Sequence, residues 1–345
     1  MRIKINSLAV VCAALFAVSS TFASETEIQP QAADLAPLAS KALLTDIVNV
    51  ADQMLVTVGE RGHILVSSDA EAWQQASVPV QTNLNSVYFV NKLRGWAVGH
   101  DATILATNDA GLTWQLQQFA PHMDKPFFDV YFSDEQNGIA VGAYGLFYRT
   151  TDGGASWQNE FHIELLSEDN QEYLTELKDS DPEMYDIELG AILPHFNRIF
   201  ADGNVLYLVG EAGFAAKSTD NGQHWQRLEE FYIGSLFDIT RTPYMSLLAV
   251  GLRGNAFESQ DQGLSWQQIR LPETSTFNSV FADSKGRVYL VGNAGSLYVS
   301  NDSGKTFEDH SLLDGKTIVN GLSWKNKLVL ATEVGIKTIN LSELE

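Results

Sequence analysis

The chain has 345 residues, of which 45% are hydrophobic, and its 43 acidic residues outnumber 22 basic residues to give a net charge of −21. This balance disfavours nucleic acid and anionic lipid as partners, because both are negatively charged. A cationic protein surface or a divalent cation is a better electrostatic match.

The chain begins with the features of an export signal. Arg2 and Lys4 precede an apolar run at residues 8–18, which is shorter than the roughly 20 residues needed to span a bilayer. We therefore expect residues 1–23 to be a cleaved signal peptide and the mature protein to be periplasmic. Cys12, the single cysteine, lies inside this segment, so the mature chain needs no disulfide. No later stretch is long and apolar enough to predict direct membrane insertion.

A turn of one design recurs after an N-terminal segment at residues 24–42. It starts with Ser or Thr, carries Asp two residues later and ends in Trp or Phe. The copies are S-S-D-A-E-A-W at 67–73, T-N-D-A-G-L-T-W at 107–114, T-T-D-G-G-A-S-W at 150–157, S-T-D-N-G-Q-H-W at 218–225, S-Q-D-Q-G-L-S-W at 259–266 and S-N-D-S-G-K-T-F at 300–307. A period of about forty residues with four short apolar runs is typical of a β-propeller, not of a helical array. We predict an all-β, seven-bladed β-propeller with four-stranded antiparallel blades over residues 43–345.

The aspartates of these turns have a structural interpretation. Their carboxylates can accept hydrogen bonds from backbone N–H groups of their own turn, and the terminal aromatic ring can be buried between blades. Their regular repetition argues against a single active site. We expect this structural role for Asp69, Asp109, Asp152, Asp220, Asp261 and Asp302.

A second repeated element, Val-Gly-x-x-Gly, marks the turn between the second and third strands of five blades; blade two lacks the second glycine, and Ala331-Thr332 replaces Val-Gly in blade seven. Propeller geometry places these turns on the same face as the connections between blades, and the aspartate turns on the opposite face. The residues that vary inside these turns suit a partner-binding face, although unconstrained turns exposed to solvent would vary in the same way. They are Glu60, Arg61, His100, Asp101, Tyr144, Glu211, Arg253, Asn293 and Glu333.

Charged residues hold equivalent positions on several of the inner strands. They are Asp46, Asp129, Arg198 and Asp238. We expect them to line a mostly acidic pore as solvated or salt-bridged groups.

The spacing between Trp157 and Trp225 exceeds the repeat and places an acidic insert at residues 160–194, between blades three and four. Ser167 as an N-cap and Pro182 at a first helical position predict two short helices. The insert is either a solvated excursion packed on the rim or a docking arm or lid, since long insertions in short-loop folds are often functional. It lacks the spacing of a Ca²⁺ loop, and we predict no metal site and no cofactor.

The last repeat, at residues 316–341, lacks an aspartate turn and a fourth strand. A three-stranded blade leaves an unpaired edge. We predict that residues 34–40, D-L-A-P-L-A-S, supply the missing strand and close the ring. Pro37 is compatible with such an edge strand.

The aspartate turns together with the Val-Gly-x-x-Gly turns resemble the photosystem II stability/assembly factor family of seven-bladed propellers, including its relatives in non-photosynthetic bacteria. The most family-like run is N-S-V-Y-F-V-N-K-L-R-G-W-A-V-G-H-D-A-T-I-L-A-T-N-D-A-G-L-T-W at residues 85–114. The resemblance implies a non-catalytic assembly factor that binds a membrane protein complex on the exported side. Photosynthetic members carry an arginine-rich face, whereas the arginines here are scattered. We therefore expect another envelope complex, such as a transporter, bound through the face that carries the insert.

The alternative is an Asp-box glycoside hydrolase that acts on an envelope or extracellular glycan. Such an enzyme needs two carboxylates across one sugar bond, and acids are plentiful here. A sialidase would also need an arginine cluster and an Arg-Ile-Pro segment, but Arg198-Ile199-Phe200 lacks the proline. No G-x-S-x-G turn or ligand-spaced histidine pair is present. We expect no catalytic residues.

Overall fold

The computed structural model describes residues 28–344. In this range the strands form seven antiparallel sheets, six with four strands and one with three. The predicted seven-bladed β-propeller is confirmed. The predicted signal peptide at residues 1–23 lies outside the described residues.

The first four blades are built from consecutive strands. They are β1 (Leu44–Val50), β2 (Met54–Gly59), β3 (Ile64–Ser67) and β4 (Gln74–Gln75); β5 (Leu84–Phe89), β6 (Gly95–Gly99), β7 (Ile104–Thr107) and β8 (Gln115–Gln118); β9 (Phe127–Phe132), β10 (Gly138–Gly142), β11 (Phe147–Thr150) and β12 (Gln158–Asn159); and β13 (Phe196–Asp202), β14 (Val205–Gly210), β15 (Ala215–Ser218) and β16 (Gln226–Arg227).

The last three blades follow the same order until the fourth strand of blade seven, which is missing. Their strands are β17 (Leu236–Arg241), β18 (Leu247–Gly251), β19 (Ala256–Ser259) and β20 (Gln267–Ile269); β21 (Phe277–Ala282), β22 (Val288–Gly292), β23 (Leu297–Ser300) and β24 (Glu308–Asp309); and β25 (Ile318–Trp324), β26 (Lys327–Thr332) and β27 (Gly335–Asn340).

The hydrophobic core is divided into layers between neighbouring blades. The second strands are almost entirely buried because they lie in the middle of each sheet and are covered on both faces. The aromatic residue of an aspartate turn packs into such a layer. Trp225, for example, is 4% exposed and meets the ring of Phe147 edge-to-face at 6.2 Å.

Each repeated aspartate is bonded within its own turn, as Asp152 illustrates. Its carboxylate accepts from Thr150 Oγ1 (2.8 Å) and from the backbone N–H (2.9 Å) and hydroxyl (2.6 Å) of Ser156. These bonds, led by that of the Ser156 hydroxyl, lower the pKa of Asp152 to about 2. The carboxylate therefore stabilises the turn while it is ionised.

The insert contains the two short helices expected from the sequence. They are α1 (Glu168–Ser180), which Ser167 caps by accepting from the backbone N–H of Asn170, and α2 (Pro182–Leu189). Leu174 of α1 is fully buried and joins the core layer between blades three and four. The insert is thus packed onto the propeller through an apolar contact.

The prediction that residues 34–40 form a ring-closing strand is wrong. This segment runs as turns into a short 3₁₀ helix at Ala39–Lys41, and β27 remains the outer strand of a three-stranded blade. The backbone N–H of Ala36 donates to Gln75 Oε1 (2.8 Å), which ties the segment to blade one, and Ala39 packs between blades seven and one.

The segment instead occupies the place of a connection between blades. A Cβ atom added to Gly213 would lie 1.7 Å from the carbonyl oxygen of Tyr232, which belongs to the connection between blades four and five. A Cβ atom added to Gly335 of blade seven would lie 2.0 Å from the carbonyl oxygen of Ser40. The segment therefore crosses above the turn that precedes β27. It does not run along the outer edge of β27.

Two leucines that follow β27 fill the place of the aromatic residue that blade seven lacks. A 3₁₀ helix at Leu341–Leu344 follows β27, where the other blades have their aspartate turn. Leu341 and Leu344 are buried in the layer between blades six and seven. Arg287 Nη1 donates to the carbonyl oxygen of Leu341 (3.3 Å) and holds this turn in place.

Candidate functional site

One face of the propeller is formed by the connections between blades and the turns between second and third strands. We call it the insert face, and the opposite surface the aspartate-turn face. The insert packs on the turn of blade three, where Gly145 N–H donates to the carbonyl oxygen of Pro194 (2.9 Å). The rings of Tyr144 and His195 meet edge-to-face at 4.5 Å. Lys125 Nζ donates to the carbonyl oxygen of Gly190, which also holds the C-terminal part of the insert.

The structure places the predicted face residues in these turns but brings few of them together. Arg61, His100, Tyr144, Arg253, Asn293 and Glu333 are exposed, whereas Glu60, Asp101 and Glu211 are half-buried. Glu333 pairs with Lys316 (3.2 Å). Arg61, His100 and Arg253 form no ion pair with any residue of the described chain. The predicted residues are therefore spread around the rim and do not form one cluster.

A depression lies at the centre of the insert face, and we call it the axial mouth. Its volume is about 530 Å³. Every inner strand has a register irregularity near its start, and the bulged residue of each blade lines the mouth. These residues are Thr45, Asn85, Phe128, Asn197, Phe237, Asn278 and Val319. β-Bulges re-aim side chains, and here they turn one from each blade towards the axis.

The rim of the axial mouth also contains a histidine–carboxylate contact. His195 Nδ1 lies 3.4 Å from Glu211 Oε1, and the His195 ring packs against Phe128 at 5.6 Å. His195 follows directly after the insert and lines the mouth. The end of the insert therefore leads directly into the wall of the mouth. Asn293 lies across the mouth and accepts from Asn278 Nδ2 (3.0 Å).

Directly beneath the axial mouth, the next residue of each inner strand joins a closed ring of polar side chains. We call this ring the belt. Its members are Asp46, Ser86, Asp129, Arg198, Asp238, Ser279 and Asn320. Its contacts are Ser86 Oγ with Asp46 Oδ2 (3.1 Å) and Asp129 Oδ1 (2.7 Å), Arg198 Nε with Asp129 Oδ2 (3.5 Å) and Asp238 Oδ1 (3.2 Å), Ser279 Oγ with Asp238 Oδ2 (2.7 Å) and Asn320 Oδ1 (2.8 Å), and Asn320 Nδ2 with Asp46 Oδ1.

The belt carboxylates also link neighbouring blades by accepting hydrogen bonds from backbone N–H groups. Asp46 accepts from the N–H of Val87 (2.9 Å), and Asp238 accepts from the N–H of Val280 (2.9 Å). Each of these acids thus receives donors from its own blade and from the next one. This arrangement satisfies buried carboxylates that would otherwise be costly.

The belt holds three carboxyl groups, of Asp46, Asp129 and Asp238, and the one guanidinium of Arg198. Burial raises the pKa of Asp129 and of Asp238, and Arg198 opposes that effect. Burial lowers the pKa of Arg198, but the attraction of Asp129 and Asp238 outweighs it and raises that pKa above its ordinary value. Arg198 therefore stays charged.

The predicted pore residues occupy equivalent positions on the axis, but the carboxylates are not a solvated lining. Asp46, Asp129 and Asp238 are 3%, 3% and 5% exposed, because each lies against the following blade. Only Arg198 of the predicted four is half-buried. The prediction missed the three neutral members of the belt and the bulged residues above them. The pairs Asn85-Ser86, Asn197-Arg198 and Asn278-Ser279, near the starts of three inner strands, mark equivalent positions but do not reveal the bulges.

The belt carboxylates are poor candidates for catalysis. Each already accepts several hydrogen bonds and lies away from solvent, so none is free to donate a proton to a sugar oxygen. Within residues 28–344, no group of His, Cys, Asp or Glu side chains is arranged to hold a metal ion. In the same range, no helix has the length and apolarity that crossing a membrane requires.

A family model matches part of the sequence. Residues 64–127 match the family model described as photosynthesis system II assembly factor YCF48. A photosystem II assembly protein Ycf48 from Synechococcus sp. (strain JA-3-3Ab) is 44% identical over 48 residues, which are 13% of this chain and 14% of that protein. The match therefore covers a small part of that relative.

Comparison with solved structures extends the likeness of fold to most of the chain. A structure of YCF48 bound to D1 peptide is 20% identical, with a TM-score of 0.66 over 90% of this chain and 99% of that one. YCF48 from Cyanidioschyzon merolae is 15% identical, with a TM-score of 0.65 over 89% and 98% of the two chains. Propellers of similar shape include enzymes, such as a virginiamycin B lyase from Staphylococcus aureus that is 11% identical with a TM-score of 0.65 over 90% and 98% of the chains.

Proposed function

We propose, on the premise that the chain is a Ycf48-like seven-bladed β-propeller, that it is a non-catalytic assembly or interaction factor. Its partner is a membrane protein complex, such as a transporter, which it meets in the periplasm. It binds this complex through the insert face. The similarity to assembly factors supports the general role in protein interaction. The features of the insert face support that face as the binding surface.

The observation that carries this proposal is the distribution of apolar groups on the insert face. Ile233 and Leu313, in two connections between blades, are 83% and fully exposed, and Ile187 of the insert is 65% exposed. They lie in segments of the insert face, the face that holds the axial mouth with Phe128 and Phe237 in its walls. Exposed apolar groups around a depression are characteristic of protein-binding surfaces.

Two further observations support the partner and the compartment. The predicted signal peptide favours export, and the net charge of −21 favours a partner with a cationic surface. One of the structural neighbours was solved with a D1 peptide bound, which makes a segment of a membrane protein a reasonable kind of ligand for this fold.

The proposal is tested by capturing partners from solubilised membranes of the producing cell. The bait proteins are the wild type, a variant with residues 160–194 replaced by a short Gly-Ser linker, and the double variant Ile233→Asp with Leu313→Asp. The control is Met245→Asp with Leu264→Asp, which changes exposed apolar residues on the aspartate-turn face.

We expect one membrane complex to be recovered by the wild type and by the control, and lost from both insert-face variants. Equal recovery by all four proteins would remove the insert face from the proposal. Hydrolysis of a glycan panel that a single carboxylate substitution abolishes would support the glycoside hydrolase instead.

A further inference from the structure

We propose that the axial mouth binds a lysine or arginine side chain presented by an extended segment of the partner protein. This inference rests on the proposed function and specifies the chemistry of its central contact. It follows from the hydrogen-bonding groups, the charges and the apolar walls of the mouth.

The first argument is that the asparagines of the mouth offer amide oxygens as hydrogen-bond acceptors. Nδ2 of Asn85, Asn197 and Asn278 donates to a carbonyl oxygen of the following blade, at 2.7, 2.8 and 2.9 Å. A carbonyl partner requires the amide nitrogen on that side, so the orientation of each amide is determined. The Oδ1 atom of each then accepts no hydrogen bond from any residue of the described chain. Three amide oxygens are therefore available to a ligand that donates.

The second argument is electrostatic. The belt lies one residue further along every inner strand, and it holds three carboxylates against the single guanidinium of Arg198. Glu211 adds a carboxylate at the rim. The Glu211 carboxylate at the rim would attract a cation in the mouth and repel an anion.

The third argument concerns shape and apolar surface. Phe128, Phe237 and Val319 are half-buried and separate the polar groups of the mouth. The aliphatic stem of a lysine or arginine packs on such surfaces while its head reaches polar groups. A volume of about 530 Å³ holds this side chain with its neighbouring backbone. An extended segment is the suitable carrier, because the exposed Ile233 and Leu313 of the insert face offer apolar surface to its neighbouring residues.

The experiment uses the full protein labelled with ¹⁵N and three neutral-ended probe peptides. They share the sequence acetyl-Gly-Leu-X-Leu-Gly-amide, where X is lysine, norleucine or glutamate. Side-chain amide signals of Asn85, Asn197 and Asn278 are followed during titration, with spermidine as a separate probe. We expect the lysine peptide to shift these signals, with a dissociation constant at least about tenfold lower than that of the norleucine peptide. The affinity should fall as salt is added.

Three variants test whether the peptide binds in the mouth. Phe237→Lys supplies a cation from the protein itself and should abolish binding, while Leu264→Lys on the aspartate-turn face should leave it unchanged. Glu211→Gln keeps the shape of the rim and should weaken binding of the lysine peptide by about two- to fivefold, with no change for norleucine. Because Glu211→Gln perturbs packing little, it remains informative if Phe237→Lys folds poorly.

Equal binding of the lysine and norleucine peptides, or no shift with the lysine peptide, overturns the inference. Binding of spermidine without binding of any peptide replaces the protein segment by a polyamine and also overturns it. Capture of the membrane complex distinguishes the two proposals. If Phe237→Lys still captures the complex while the double variant at Ile233 and Leu313 does not, the inference fails and the proposed function stands.

Discussion

Asn320 Nδ2 donates a hydrogen bond to Asp46 Oδ1, although 274 residues separate the two side chains in the sequence. This bond joins the seventh blade to the first and is the last link of the belt. Blade seven has no fourth strand, and this bond is one of the contacts that close the ring.

Removing this link should destabilise the whole protein. Asn320→Leu deprives Asp46 of a donor and leaves a buried carboxylate less well satisfied, which costs about 1–3 kcal/mol of the free energy of unfolding. Urea unfolding followed by tryptophan fluorescence measures the change. Asn340→Ala, which removes an exposed amide bonded to Glu343, is the control and should change the free energy by less than about 0.5 kcal/mol. If the two substitutions lowered the free energy of unfolding equally, the belt would have no particular role in stability.

The aspartate turns should make stability depend on acid pH. Hydrogen bonds lower the pKa of Asp152 and of Asp261 to about 2, from an ordinary value of 3.8. The folded state therefore holds the proton less tightly than the unfolded state. The stability this provides is fully present above the unfolded pKa and is lost as the pH falls towards 2. Asp152→Asn should be less stable than the wild type at pH 7, and the difference should shrink between pH 5 and pH 2.5. A difference in urea midpoint that stays constant over this range contradicts the assignment.

The C-terminal turn should be essential to the layer between blades six and seven. Leu344→Ala removes a side chain that is 3% exposed and opens a cavity, with an expected loss of about 2–5 kcal/mol. Leu313→Ala is the matched control, because Leu313 is fully exposed and should tolerate the change. Thermal unfolding of the two variants side by side tests whether the turn replaces the missing aromatic residue.

The turns between second and third strands contain left-handed residues that are not glycine. Arg253 has φ +58° and is exposed, so Arg253→Gly relieves strain of about 1–2 kcal/mol and adds about 0.5–1 kcal/mol of unfolded-state entropy. A small net stabilisation is expected, and Arg253→Ala should give none. Tyr144 has φ +52° but contacts His195, so Tyr144→Gly should not be stabilising. Chemical unfolding of all three variants decides whether strain or contact dominates.

The insert should be separable from the propeller by one substitution. Leu174→Asp places a charge in the layer between blades three and four, and α1 should leave the surface while the blades stay folded. Tyr173→Asp is the control, since its side chain is 42% exposed. Limited proteolysis should cleave the first variant within residues 160–194 many times faster than the second. Unchanged cleavage would mean that Leu174 does not hold the insert.

The fold could be predicted because the features that define it are local and repeated. The aspartate turns and the glycine bends recur at one period, and each turn determines its own geometry. The two helices of the insert were predictable for a similar reason, because Ser167 and Pro182 are local signals. Ring closure was not, because it depends on where the N-terminal segment lies relative to blade seven. That position is set by distant partners such as Gln75, which local patterns do not reveal.

The candidate site was predictable only in part. Equivalent positions on the inner strands identified the charged members of the belt, but their burial depends on donors from neighbouring blades, such as Ser86 and Asn320. The axial mouth escaped prediction because it is made by bulges, and nothing in the order of Phe127, Phe128 and Asp129 shows that the middle residue is displaced from the ladder.

The closed belt gives the propeller no terminal unit. An open array of repeats can fray from either end, since its outermost repeat has a neighbour on one side only. Here every blade has two neighbours and shares a side-chain contact with each. Partial melting of one blade would break contacts on both sides at once, so we expect hydrogen exchange at the inner strands to report a single opening event for the whole ring.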